Sequence, residues 1–206
     1  MKSIVIIAGG TPPNGLVKAH CYIGVDRGAL WLIRHNITPD IAIGDFDSVT
    51  KSEKRIIHDT AKKYVEYSPK KDATDLELAI DEAISLHPKE VTIYGVLGGR
   101  FDHSIGAIQT LLKLESHNIS GQIVDNFNKI MIVRHQITLT NSSKYRYVSV
   151  IPISSSATVM LQGFAYDVFQ KVLQQGSSLG ISNEISGKSA KILVHDGLVL
   201  VVRSSD

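Results

Sequence analysis

Ile41-Ala42-Ile43-Gly44-Asp45-Phe46-Asp47-Ser48 is the stretch on which the fold turns. A short apolar run, two of its three residues β-branched, passes without a polar break into a glycine and two aspartates. A strand covered on both faces reads as such a continuous apolar run. In open parallel sheets, ligand-binding groups collect in the crevice beyond the carboxyl ends of the strands. The same succession recurs on either side. Ile4 to Ala8 is an apolar strand running into Gly9-Gly10, and Tyr22 to Val25 leads into Asp26-Arg27-Gly28-Ala29 and a helical stretch, Leu30 to Ile33. Val91 to Val96 is a strand before Leu97-Gly98-Gly99-Arg100, and Gln122 to Val124 follows as another.

Helical patterns fill the gaps. Val49 to Lys63 is expected to be helical. Leu76, Ala79, Ile80, Ala83, Ile84 and His87 recur at three- and four-residue steps, the signature of one helix face. Thr74 and Glu77 have capping-box spacing at its start, and Pro88 stops it. A further helix carries Ile105, Ile108, Leu111 and Leu112. Strands alternating with helices predict an α/β domain with a mostly parallel sheet.

From about Lys129 the texture changes to short strand-like runs: Ile130 to Val133, Ile137 to Leu139, Tyr147 to Pro152, Thr158 to Leu161, Ala190 to His195 and Leu198 to Val202. His195-Asp196-Gly197 reads as the turn of a hairpin. The expected division is therefore an α/β domain over 1–128 and an all-β domain, a small sandwich or barrel, over 129–206.

The 206 residues carry 22 basic and 20 acidic side chains, so no cationic footprint for nucleic acid stands out. Cys21 is the one cysteine, which excludes an intrachain disulfide and fits a reducing compartment. The apolar run at the N-terminus is too short for a signal peptide, and no stretch reaches the ~20 apolar residues of a membrane span. A soluble, cytoplasmic protein is expected.

Asp45 and Asp47 are two apart, so in extended backbone they project to one side, roughly 7 Å apart at Cα. With the Ser48 hydroxyl they suit a hard cation such as Mg²⁺, which takes oxygen ligands; an Asx turn satisfying its own backbone is the plainer alternative. Lys71-Asp72-Ala73-Thr74-Asp75 joins two carboxylates and a lysine at a helix start, where exposed N–H groups attract phosphate. Gly98-Gly99-Arg100-Phe101-Asp102-His103 adds glycines for close backbone approach, a guanidinium fork for phosphate and another carboxylate. Gly187-Lys188-Ser189 ends like a phosphate-binding loop but lacks its first glycine, since Ser182 stands there. A Cys/His zinc site cannot be built from one cysteine.

Taken together, Asp26-Arg27-Gly28-Ala29, Gly44-Asp45-Phe46-Asp47-Ser48, Ser68-Pro69-Lys70-Lys71-Asp72-Ala73-Thr74-Asp75, Gly98-Gly99-Arg100-Phe101-Asp102-His103 and Gly176-Ser177-Ser178-Leu179-Gly180-Ile181-Ser182-Asn183-Glu184 resemble the thiamine pyrophosphokinase family, in order and over nearly the whole chain. The resemblance implies an ATP-binding α/β domain, a thiamine-binding β-sandwich domain, and a homodimer with active sites between subunits. It implies catalytic aspartates at Asp45, Asp47, Asp72, Asp75 and Asp102, with Mg²⁺ on Asp45, Asp47 and Asp72. ATP would meet Asp26, Lys71, Gly98, Gly99, Arg100 and His103, and thiamine would meet Tyr166, Ser182 and Asn183. Arg27 stands where many members have glycine, and Tyr166-Asp167-Val168 is a loose form of the family's aromatic motif. The implied reaction is pyrophosphoryl transfer from ATP to the thiamine hydroxyl, with Asp102 or Asp75 accepting the proton. Two rival readings are a haloacid-dehalogenase-like phosphatase using Asp45 as nucleophile and a non-catalytic thiamine- or nucleotide-binding protein.

Overall fold

The computed structural model describes residues 2–11, 14–68, 70 and 72–206. They form two compact units, Met1–Asn126 and Phe127–Asp206.

The first unit is built on six strands, β1 (Ser3–Ile7), β2 (Cys21–Val25), β3 (Ile41–Gly44), β4 (Lys63–Glu66), β5 (Glu90–Tyr94) and β6 (Ser120–Val124). They pair in parallel in the order β6-β5-β1-β2-β3-β4. The central strands are the unbroken apolar runs, and Ile6, Ile7, Ile23 and Ile43 are fully buried. Helices α1 (Arg27–Arg34), α2 (Lys51–Thr60), α3 (Asp75–Ser85) and α4 (Phe101–Ser116) supply the cover. Leu32 of α1 packs with Val5, Ile7 and Tyr94, while Ala29 and Leu30 join Ala42, Phe46 and Ile57.

The chain steps outward from β1 through β2 and β3 to β4, then returns to the other side of β1 with β5. That reversal puts a crevice beyond the carboxyl ends of β1 and β5. There the Gly10 N–H donates to the Gly95 carbonyl at 2.9 Å. A Cβ on Gly10 would lie 2.4 Å from that oxygen, so the close approach requires glycine.

Two local expectations change. The helix expected over Val49 to Lys63 is shorter, since α2 ends at Thr60 and Ala61 turns extended, and Lys63 instead opens the edge strand β4, which had no counterpart in the sequence reading. The capping box at Thr74 is half made: Thr74 Oγ1 accepts the Glu77 N–H at 3.2 Å, but the Glu77 carboxylate accepts from Lys113 instead. A complete box stands at α2, where Thr50 and Glu53 each accept the other's backbone N–H.

The second unit contains β7 (Asn128–Val133), β8 (Gln136–Thr140), β9 (Tyr147–Pro152), β10 (Ser156–Gln162), β11 (Val168–Gln174), β12 (Asn183–Glu184), β13 (Ser189–Asp196) and β14 (Val199–Ser204). They pair antiparallel as β12-β9-β14-β7 and as β11-β10-β13-β8. Alternating residues of both layers, among them Val148, Val150, Val159, Ile192 and Val201, meet in one core. This is a β-sandwich. His195-Asp196-Gly197 is not a hairpin turn: β13 pairs with β8 and β10, whereas β14 pairs with β7 and β9. The chain changes layers there. Gly197 (φ 81°) sits so tightly that a Cβ would lie 2.5 Å from the Ser156 carbonyl oxygen.

Candidate active site

The structure gathers Asp26, Asp45 and Asp75 at the carboxyl side of the parallel sheet, each offering an oxygen within 4.8 Å of the others. Asp26 directly follows β2, Asp45 directly follows β3, and Asp75 is the first residue of α3. Asp26 occupies an unusual backbone conformation (φ 48°, ψ −116°), and Phe46 is left-handed at φ 56°. Each such residue costs on the order of 1–3 kcal/mol and persists only where its surroundings enforce it. The enforcement is visible here. Asp26 Oδ1 accepts the Phe46 N–H at 2.9 Å, and the Asp26 N–H donates to the Ile43 carbonyl at 3.1 Å. The carboxylate lies directly over Gly44, where a Cβ would come within 1.9 Å of Asp26 Oδ1. Glycine at position 44 is what lets the three acids converge.

Burial pushes the Asp26 carboxyl up to about 6, reinforced by the charges of Asp75, Asp45 and Asp47, with the Phe46 N–H pulling the other way. Three hard oxygen donors that repel one another while partly withdrawn from water fit a divalent cation such as Mg²⁺.

Asp47 is exposed, and its N–H donates to Asp45 Oδ1 at 3.2 Å. The Asx turn and the acid cluster therefore coexist in one loop. Asp72 is also exposed and, like Asp47, is not among the three acids brought together. Lys71 lies outside the described residues. Gly98 (φ 85°) and Gly99 (φ 69°) make a left-handed turn before α4 with open space around it. The Arg100 guanidinium grips the exposed Asp102 carboxylate through Nε (3.2 Å) and an NH₂ group. This pair holds Asp102 below the usual carboxylate range. His103 is exposed in the first turn of α4, its N–H donating to Asp102 Oδ1 at 3.0 Å.

Sequence reasoning placed Asp26 with ATP rather than with the metal acids, and it passed over Gly10 and Gly95 at the β1–β5 crevice. Strand order alone reveals that pair, although Gly9-Gly10 after an apolar strand was a signal.

In the second unit, Tyr166, Ser182 and Asn183 come together. The Asn183 amide is buried and tied to its neighbours: Oδ1 accepts from the Tyr166 N–H (3.1 Å) and the Glu184 N–H (2.9 Å), and Nδ2 donates to the Tyr166 carbonyl (2.8 Å). Tyr166 is thereby fixed by its backbone while its side chain stays 75% exposed. Ser182, left-handed at φ 59°, donates its N–H to Ser149 Oγ at 3.0 Å and is itself exposed. Asn183 presents Tyr166; Tyr166 and Ser182 are the groups open to a ligand.

Residues 14–123 match the family described as thiamin pyrophosphokinase, catalytic domain, and residues 134–199 match its vitamin B1 binding domain. The chain belongs to the thiamine pyrophosphokinase family. It is 37% identical to the thiamine pyrophosphokinase of Bacillus subtilis (strain 168) over the full length of both chains. The crystal structure of the Bacillus subtilis thiamine pyrophosphokinase superposes with a TM-score of 0.92 at 35% identity, covering both chains completely. That of Geobacillus thermodenitrificans thiamin pyrophosphokinase gives 0.86 at 32%, covering 99% of this chain and 98% of the other. Thiamine pyrophosphokinase architecture thus accounts for both units, and the acids of the first unit fall within its catalytic-domain match.

Proposed function

We propose that the protein transfers the pyrophosphoryl group of ATP to the hydroxyl of thiamine, yielding thiamine diphosphate and AMP. The observation that carries the mechanism is the convergence of Asp26, Asp45 and Asp75 at the carboxyl ends of a parallel sheet, in a member of this family. Mg²⁺ is assigned to these three carboxylates, with exposed Asp47 beside them and Asp72 one turn before α3; when bound, it neutralises polyphosphate charge.

The thiamine hydroxyl oxygen attacks the β-phosphorus, the bond from that phosphorus to the α–β bridging oxygen breaks, and AMP leaves with the oxygen. Such chemistry asks the protein chiefly for positioning and charge stabilisation. The Gly98-Gly99 turn and the Gly10–Gly95 crevice offer close backbone approach to the nucleotide. Arg100, exposed beside them, exchanges Asp102 for phosphate. The hydroxyl proton passes to Asp75 or to Asp102, the latter freed when Arg100 turns to phosphate. Tyr166, held by Asn183, supplies an exposed ring for thiamine, and the exposed Ser182, next to Asn183 in the chain, supplies a hydroxyl.

The homodimer that the family resemblance implies finds support in the α4 surface. Phe101 (77% exposed) and Ile105 (43%) lie one turn apart on one face, which a second copy would cover. Sedimentation of wild type and Phe101→Glu tests this, with a dimer expected to give way to monomer. A cytoplasmic setting fits the single cysteine, and among the described residues no helix is long and apolar enough to cross a membrane.

The reaction is tested with ATP, Mg²⁺ and thiamine by following AMP. Phosphate release without thiamine would instead favour a phosphatase.

A further inference from the structure

Between Asp45, one of the three gathered acids, and the exposed Asp47 stands a residue held from several sides. Phe46 is 2% exposed, left-handed, and gives its N–H to Asp26. A bulky side chain rarely takes that backbone conformation unless its ring is held. The Phe46 ring packs in the cluster of Ala29, Leu30, Ala42 and Ile57 and stacks on Tyr64 of β4, with centroids 4.8 Å apart and planes 15° apart. Tyr64 is fixed in turn. His58 of α2 meets its ring edge-on at 4.9 Å, and its hydroxyl donates to Glu66 (2.9 Å), which also accepts from Lys54 of α2 (2.6 Å).

We propose that Tyr64 is a positioning residue for the metal carboxylates, acting through Phe46. The stacked ring holds Phe46 in its left-handed turn. That turn aims the Phe46 N–H at Asp26 and projects Asp45 and Asp47 outward from one loop. The hydroxyl is secondary: it tethers Tyr64 to α2 but touches neither Phe46 nor the acids. β4 and α2 thereby become the support of the acid loop, although neither contributes one of the three gathered acids. The inference rests on the proposal that those carboxylates bind a divalent cation.

Mn²⁺ alone, followed by electron paramagnetic resonance, is the probe, with kcat, thiamine KM and Tm measured on the same samples. Tyr64→Leu removes the ring and is expected to raise the Mn²⁺ Kd about 10-fold and to lower kcat about as much, the scale of losing an outer support of a metal site. Thiamine KM should stay within about twofold, which a general loosening of the fold would not spare. Tyr64→Phe keeps the stack and should keep the Mn²⁺ affinity. Phe46→Leu, which stays apolar in the same cluster, should reproduce Tyr64→Leu and guards against a misfolded first variant. Wild-type Mn²⁺ affinity in both leucine variants, or equal loss in Tyr64→Phe, overturns the proposal. Asp45→Asn separates the two layers of the argument. If wild type binds no Mn²⁺ that Asp45→Asn abolishes, the ion site itself is wrong and the positioning role falls with it.

Discussion

Replacing Asp26 by asparagine should make the metal-free protein more stable while disabling it. The carboxyl is raised from its ordinary 3.8 to about 6, chiefly by burial and then by Asp75, Asp45 and Asp47. It therefore holds its proton more tightly in the folded chain than in the unfolded one. The stability this contributes is fully present below about pH 4 and is lost as pH rises through about 6. Each pKa unit is worth about 1.4 kcal/mol, and discounting for the group's partial exposure leaves about 1–2 kcal/mol of charge strain at neutral pH. Asparagine keeps an oxygen for the Phe46 N–H and removes that strain. For a chain of this size 1 kcal/mol moves Tm by roughly 2–4 °C, so Asp26→Asn should melt roughly 2–8 °C above wild type at pH 7.5 in EDTA. The gap should close at pH 4, where both side chains are neutral. Added at a hundred times its Kd, Mg²⁺ should stabilise wild type by about 2.7 kcal/mol and the variant by less. The assay is a set of calorimetric melts at both pH values, with EDTA or Mg²⁺. A variant that melts below wild type in EDTA at pH 7.5 would refute the reasoning, since the carboxylate would then be a stabilising group and not a strained one.

Other outcomes follow from the same geometry. Gly44→Ala drives a methyl into Asp26 Oδ1 and should cost about 1–3 kcal/mol, read from the urea midpoint, together with most of the activity. Asp47→Asn should lower turnover at least ~100-fold while leaving stability within about 0.5 kcal/mol, because the side chain is exposed; activity assays beside urea titrations check both halves. Asn183→Ala strips two hydrogen bonds from the Tyr166 backbone and one from the Glu184 N–H, and should cost about 1–3 kcal/mol. It should raise the KM for thiamine and leave that for ATP unchanged, and an equal rise in both would remove its assigned role.

The parts of the fold that were legible in the sequence are those where local pattern and tertiary role agree. Ile41-Ala42-Ile43 reads as a covered strand because it is one, buried throughout beside β2 and β4. Edge strands were harder. Lys63-Tyr64-Val65-Glu66 has charged ends and only partly buried centres, so no continuous apolar run marks it as a strand. Val168–Gln174 hides because Gln170 is left-handed (φ 44°) and the register with β10 shifts nearby, which breaks the alternation. His195-Asp196-Gly197 is a turn by its residues, but whether the chain turns within a layer or between layers is decided by which strands it meets. In the site, the aspartates were visible singly; which three converge was not. Asp26, Asp45 and Asp75 are brought together by the order of β2, β3 and α3 and by the missing side chain at Gly44, a relation between residues distant in sequence.

The central claim is pyrophosphoryl transfer at the acid-lined end of the parallel sheet. Quantifying nucleotides and thiamine esters after incubation with ATP, Mg²⁺ and thiamine tests it most directly. The account predicts AMP and thiamine diphosphate in equal amounts, neither forming without thiamine or with Asp45→Asn. ADP with thiamine monophosphate, or phosphate release indifferent to thiamine, would contradict it.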